Sequence, residues 1–125
     1  MEIDLKEDFK IIEEGTKYLL PKYKVLDGLG IERIKDTGEE NDPFQNQIIE
    51  FVRGSKLGEE TVEKREGTLH EHLLSVMIHD LKFKNSLVPS REVSIVITKL
   101  EEALQWLRAR QIDRIKRDIL GTYKK

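Results

Sequence analysis

From Arg91 to about Leu120 the sequence reads as one amphipathic helix, and that segment constrains every fold open to the chain. The stripe runs through Val93, Val96 or Ile97, Leu100, Leu104, Leu107, Gln111 and Ile115. Its interval is close to 3.5 residues, which keeps a seam turned toward another helix. About 30 residues at 1.5 Å each give a rod of roughly 45 Å. A chain of 125 residues has little with which to cover such a rod. The pattern therefore predicts burial against partner subunits. Gly121 is expected to stop the helix.

The entry to this helix has its own chemistry. Pro89 disfavours helix at the residue before it. Ser90 is a good N-cap, and Arg91 and Glu92 fill the first turn. A helix start offers unpaired N–H groups and a partial positive charge to an anion. Arg91 adds a forked guanidinium there. Thr98 follows two turns later on the same face, roughly 10 Å along the axis. Such a stripe can hold a multiply phosphorylated ligand, and it equally suits an ordinary helix start with a surface Arg.

A shorter helix precedes it. Thr68-Leu69-His70-Glu71 fits a capping box, with Thr68 as N-cap and Glu71 at the third helical position. Leu69, Leu73, Val76, Met77 and Leu81 recur at helical spacing, and the helix is expected to end near Lys84 to Ser86. The N-terminal region is more varied. Asp8 to Leu20 carries Phe9, Ile11, Ile12, Leu19 and Leu20 around Gly15, which reads as a short helix ending before Pro21. Ile31 to Lys35 and Gln47 to Arg53 read as strands, Thr37 to Pro43 as a polar turn region, and Gly54 to Arg65 as a loop. The expected fold class is α+β: a small N-terminal antiparallel β region, then two helices, the last one long, in a homo-oligomer. The chain is expected to be a single domain, with residues 1–66 as its β-containing region and 67–125 as its two-helix region.

Composition narrows the function. Charged residues make up 37% of the chain, against about 25% for an average domain, as befits much solvated surface. Residues 1–67 hold 11 Lys/Arg and 17 Asp/Glu, a net charge of −6, whereas residues 68–125 hold 11 and 7, a net charge of +4. An anionic ligand is expected to favour the C-terminal half. That excess is too small for long nucleic acid. No run of 18 apolar residues and no secretory signal pattern is present, so no membrane partner is expected. The absence of cysteine excludes disulfides, Cys-ligated zinc and thiol catalysis, and it fits a reducing cytosol.

Two further clusters invite chemistry. Arg110, Arg114 and Arg117 share one face of the long helix, with Trp106 one turn before them. Two guanidiniums on one face can hold a pyrophosphate; the same residues also suit a solvated basic face near a helix C-terminus. His70, Glu71, His72 and His79 look metal-like, but their spacing departs from H-E-x-x-H. They read as polar or interface residues, and no metal or other cofactor is expected. Glu101-Glu102, facing Glu71 and Asp80, leaves open a Mg²⁺-dependent nucleotide pyrophosphohydrolase. A helical oligomerisation protein without ligand is the remaining alternative.

Arg91-Glu92, Ser94, Thr98-Lys99-Leu100-Glu101-Glu102-Ala103 and Trp106 together resemble the C-terminal helix of the phage anti-CBASS and Thoeris anti-defence sponge proteins. Gly67 to Val88 and the N-terminal segment NQIIEFVRG resemble the Thoeris branch. The resemblance implies a protein of the infected bacterial cytoplasm that binds and sequesters host immune signalling nucleotides without cleaving them, with no catalytic residues. It implies a glycocyclic ADP-ribose site with Phe83 as the stacking aromatic and Arg110 and Arg114 as paired arginines. Arg91 and Thr98 match the residues that hold cyclic trinucleotides on a threefold axis in the anti-CBASS branch. The partners implied are cyclic ADP-ribose-type and cyclic oligonucleotide messengers, and copies of the chain in a homohexamer, a trimer of dimers. The N-terminal residues of the cyclic-dinucleotide pocket have no match here.

Overall fold

The computed structural model describes residues 8–28, 30–34, 46–54 and 64–123, with side chains through Arg117. The helix expected over Asp8–Leu20 is instead a β-hairpin of β1 (Lys10–Glu13) and β2 (Lys17–Pro21), with Ile11 opposite Tyr18. Between the strands Gly15 sits at φ +80°, and the Thr16 N–H donates to the Glu13 carbonyl at 3.0 Å. Glycine takes this left-handed conformation without a Cβ penalty, so the tight turn is open to the chain here. Phe9 meets Tyr18 edge to face at 5.7 Å, and Tyr18 meets Phe51 in the same way at 6.0 Å. Aromatic pairing from a distant segment outweighs the helical spacing of the apolar residues.

β3 (Tyr23–Leu26) and β4 (Gly30–Arg33) form a separate antiparallel pair, with Val25 opposite Ile31. β5 (Asn46–Glu50) joins β2, with Leu19 opposite Ile48, to complete a three-stranded sheet in the order β1-β2-β5. The strands anticipated at Ile31 and at Gln47 are β4 and β5; Lys35, the turn region at Thr37 to Pro43 and residues 55–63 of the expected loop lie outside the described residues. Beyond β5, Phe51 bridges Thr68 and Arg53 bridges Arg65.

That bridge overturns the capping box at Thr68. The Thr68 N–H donates to the Glu50 carbonyl at 2.8 Å, and its own carbonyl accepts from the Val52 N–H at 3.1 Å. An N-cap carbonyl must accept the first helical hydrogen bond, and that of Thr68 is already engaged. α1 (His70–Leu87) therefore starts one residue later, with Leu69 as N-cap and no side-chain cap. The Leu69 carbonyl accepts from the N–H groups of His72 and Leu73.

α2 (Arg91–Tyr123) is 33 residues long, about 50 Å at 1.5 Å per residue, and continues through Gly121 rather than stopping there. It packs on α1 around Ile78, Ile97 and Leu104, each 8% exposed, with Leu74, Leu81, Val93 and Leu100 against them. The α1 stripe is thus rotated from the expected one, since Val76 is 64% exposed and Met77 is exposed as well. On α2 the seam takes Ile97 and leaves Val96 exposed. Contacts divide the chain into two compact units, Met1–Thr68 and Leu69–Lys125. The class is α+β, with antiparallel strands in the N-terminal part and two helices, the second long.

Gly67 lies where the backbone passes β5 closely: a Cβ there would come within 2.5 Å of the Phe51 carbonyl carbon and 2.7 Å of the Glu50 oxygen. Both obstacles are backbone, which cannot swing aside. Gly67→Ala is expected to destabilise the protein by about 1–3 kcal/mol, as overpacking does. Chemical denaturation followed by far-UV circular dichroism measures this, and an unchanged midpoint contradicts it.

Candidate ligand-binding faces

The start of α2 is built as the sequence predicts. Ser90 Oγ accepts from the Val93 N–H at 3.1 Å, an N-cap bond, and donates toward Glu92 Oε2 at 3.3 Å. The Ser90 carbonyl accepts from the Ser94 N–H at 3.1 Å. Arg91 occupies the first helical position, its side chain has no ion-pair partner among the described residues, and it is exposed. Ser94 and Thr98 follow at i+3 and i+7, so the three side chains share one stripe. Thr98 Oγ1 donates to the Ser94 carbonyl at 3.2 Å. Its lone pairs therefore face outward, and it must turn from that carbonyl to donate to a phosphate. Arg91 is the ready donor on this stripe.

Arg110 and Arg114 are both exposed and stand one turn apart on α2, on one face. Neither has an ion-pair partner among the described residues, whereas Arg117 pairs with Asp113 at 2.9 Å. The trio of arginines anticipated on this face is in effect a free pair plus an engaged third. Phe83 is 58% exposed on α1. The ion pair between Lys82 and Glu101 at 3.1 Å sets the level of Phe83 beside residues 100–101 of α2. Arg110 lies nine or ten residues further on, roughly 14 Å along the helix axis, and Arg114 about 20 Å. One chain therefore brings Arg110 and Arg114 together but does not bring Phe83 to them.

A groove of about 320 Å³ opens along the interhelical seam, floored by Ile78 and Leu104 and flanked by His79, Lys82, Glu101 and Arg108. It holds none of the five residues singled out from sequence. It also accounts for Glu101: that carboxylate already holds the Lys82 ammonium, as Asp80 holds Lys84 at 2.9 Å. Two of the four carboxylates that a Mg²⁺-dependent hydrolase would draw on, Glu101 and Asp80, thus have lysine partners. Among the described residues no helix is long and apolar enough to cross a membrane.

Sequence reasoning passed over Asn85. Its Oδ1 accepts from the Ser90 N–H at 2.9 Å, and its Nδ2 donates to Ser94 Oγ at 3.0 Å. Asparagine near a helix end is a familiar turn residue, but nothing in the pattern names a partner nine positions away.

The comparisons with known proteins match this helical hairpin. Residues 52–111 match the family described as Acb2/Tad1, hairpin domain. The protein "Thoeris anti-defense 1" of Bacillus phage SBSphiJ7 is 41% identical over 71 residues, which cover 56% of this chain and 50% of that protein. The helical hairpin of this chain is thus similar to the Acb2/Tad1 hairpin domain and to this Thoeris anti-defence relative, and the matched region spans about half the length of that relative.

The Ser90 cap makes a local prediction. Ser90→Ala leaves the Val93 N–H without its partner and is expected to cost about 0.5–2 kcal/mol of stability. Urea titration of the variant against the parent reads this directly, and a loss below a few tenths of a kcal/mol contradicts the cap.

Proposed function

We propose that this chain is a phage anti-defence sponge, which binds and holds immune signalling nucleotides without cleaving them and so keeps Thoeris effectors, and CBASS effectors where cyclic trinucleotides are bound, from being activated. The observation that carries the proposal is the pair Arg110 and Arg114, free of ion pairs among the described residues, on a helix of the Acb2/Tad1 hairpin. A free pair of forked donors one turn apart matches a pyrophosphate. With Phe83 as the stacking aromatic the pair forms an ADP-ribose-type site, for which glycocyclic ADP-ribose is the proposed ligand. Arg91 and Thr98 form the cyclic-trinucleotide site, in which three copies around a threefold axis face three phosphates. The chemistry required is capture alone: tight binding lowers free messenger by mass action.

Both sites need assembly. The axial offset between Phe83 and the arginine pair supports a site in which the aromatic of one copy meets the arginines of another. A threefold site exists only in an oligomer. We therefore propose a homohexamer, a trimer of dimers. Light scattering is expected to give a multiple of the 14.6 kDa chain. A stable monomer at micromolar concentration removes both sites as proposed.

The function is tested by incubating the protein with a panel of cyclic nucleotides, removing free ligand, denaturing the protein and analysing what is released. Intact ligand supports the sponge, an altered product supports a hydrolase, and no retention rules out both. In calorimetry with glycocyclic ADP-ribose, Arg110→Ala and Arg114→Ala are each expected to cost about 2–4 kcal/mol, as a broken desolvated charge pair does. Phe83→Ala is expected to cost about 1–3 kcal/mol through lost stacking. Unchanged affinity in both Arg variants places the pocket elsewhere.

The two sites are expected to act independently. Arg91 and Arg110 lie about 28 Å apart along α2 at 1.5 Å per residue, well beyond a Debye length of about 8 Å. Arg91→Ala removes three charges from a threefold site and is expected to abolish trinucleotide capture while sparing the ADP-ribose-type ligand. Thr98→Val is expected to weaken the trinucleotide alone, by about 1–3 kcal/mol. Competition between the two ligands for the parent protein, or loss of both in assembled Arg91→Ala, refutes the two-site reading.

A further inference from the structure

We infer that Asn85 is the positioning residue of the Arg91–Thr98 stripe, acting on α2 from the end of α1; the inference rests on the cyclic-trinucleotide reading of that stripe. Asn85 joins the two helices through both ends of its amide. The Ser90 N–H is a donor only, so the atom facing it must be the acceptor Oδ1, at 2.9 Å. That leaves Nδ2 to donate to Ser94 Oγ, at 3.0 Å. Ser94 Oγ in turn donates to the Ser90 carbonyl at 3.0 Å. Asn85, Ser90 and Ser94 thus close a ring of hydrogen bonds around the first turn of α2.

The ring touches both members of the proposed site through one bond or less of backbone. Arg91 is the residue next to Ser90, whose N–H and carbonyl both belong to the ring. Thr98 hangs from the Ser94 carbonyl by its hydroxyl, at 3.2 Å. The ring engages the N–H and carbonyl of Ser90 and the hydroxyl of Ser94, yet leaves the Arg91 guanidinium free of any ion pair among the described residues. A long, flexible arginine gains affinity when its backbone is held, because less freedom is lost on binding. In a threefold site any loosening is repeated three times.

Asn85 sits some 15 residues before the level of Arg110 when counted through the paired helices, and among the described residues no hydrogen bond connects it to the Arg110–Arg114 face. Its effect is therefore selective for the trinucleotide. Ser94 is the link through which it acts on Thr98, so the two residues are coupled rather than additive.

The test uses Asn85→Ala, the milder Ser94→Ala and the double variant, in the full chain and in its assembled state. Calorimetry is run with cyclic triadenylate and with glycocyclic ADP-ribose. Asn85→Ala is expected to weaken cyclic triadenylate at least tenfold and to leave glycocyclic ADP-ribose within twofold. Ser94→Ala is expected to give part of that loss, and the double variant no more than Asn85→Ala alone. Amide hydrogen exchange of the ligand-free protein is the second readout: Asn85→Ala is expected to speed exchange at Val93 and Ser94 at least tenfold, with the α2 amides near Leu104 unchanged. Equal loss of both ligands, full additivity, or unchanged exchange at Val93 and Ser94 overturns the inference. If the parent protein takes up no cyclic triadenylate, or Arg91→Ala binds it normally, the trinucleotide reading itself fails. The exchange result then still decides whether Asn85 holds the helix start.

Discussion

The apolar seam of Ile78, Ile97 and Leu104 sets the direction of every candidate ligand residue. Burying these side chains fixes the rotation of α2 about its axis, and residues on other faces are carried to solvent with it. Arg91, Ser94 and Thr98 lie off the seam, as do Arg110 and Arg114. A helix phased by one residue more would have put Val96 inward and moved both sets. Apolar burial stabilises at about 25 cal/mol per Å², so a one-residue slip at three seam positions outweighs any surface contact that opposes it.

The hairpin is also unequal. α2 has 33 residues against 18 in α1, so its last four turns pass beyond the partner helix. Ile112 and Ile115 lie on that extension and are exposed. The basic residues concentrate there as well, and only Arg117 among the described ones is paired along the helix. Exposed ion pairs such as Lys82–Glu101 and Lys84–Asp80 contribute about 0–1 kcal/mol each. Their consequence is more chemical than energetic: they engage Glu101 and Asp80, while Arg91, Arg110 and Arg114 have no ion-pair partner among the described residues.

Two local signals gave way to distant partners. Thr68 and Glu71 have the residue types of a capping box, yet hydrogen bonds to Glu50 and Val52 hold Thr68 in extended backbone. Asp8–Leu20 has helically spaced apolar residues, yet Gly15 turns the chain and Tyr18 meets both Phe9 and Phe51. In each case the deciding contact comes from across the chain. Propensity yields to tertiary context when its margin, a few tenths of a kcal/mol per residue, is smaller than one well-placed pairing.

By itself the sequence determined the features whose physics is local. Pro89 and Ser90 mark the start of α2, because a cap needs only its own side chain and the next three N–H groups. The helical period marks both helices, and the β-branched run at Gln47 marks β5. The free arginines were legible as spacing along one helix. Only the tertiary structure decided the inward face of α1, where Leu74 and Ile78 pack beside the expected Leu81 in place of Val76 and Met77. It also decided between Ile97 and Val96, placed Asn85 against Ser90 and Ser94, and separated Phe83 from the arginine pair within one chain. These outcomes depend on how two helices are phased and staggered against each other. That is a property of the packed pair, and no window along a single helix contains it.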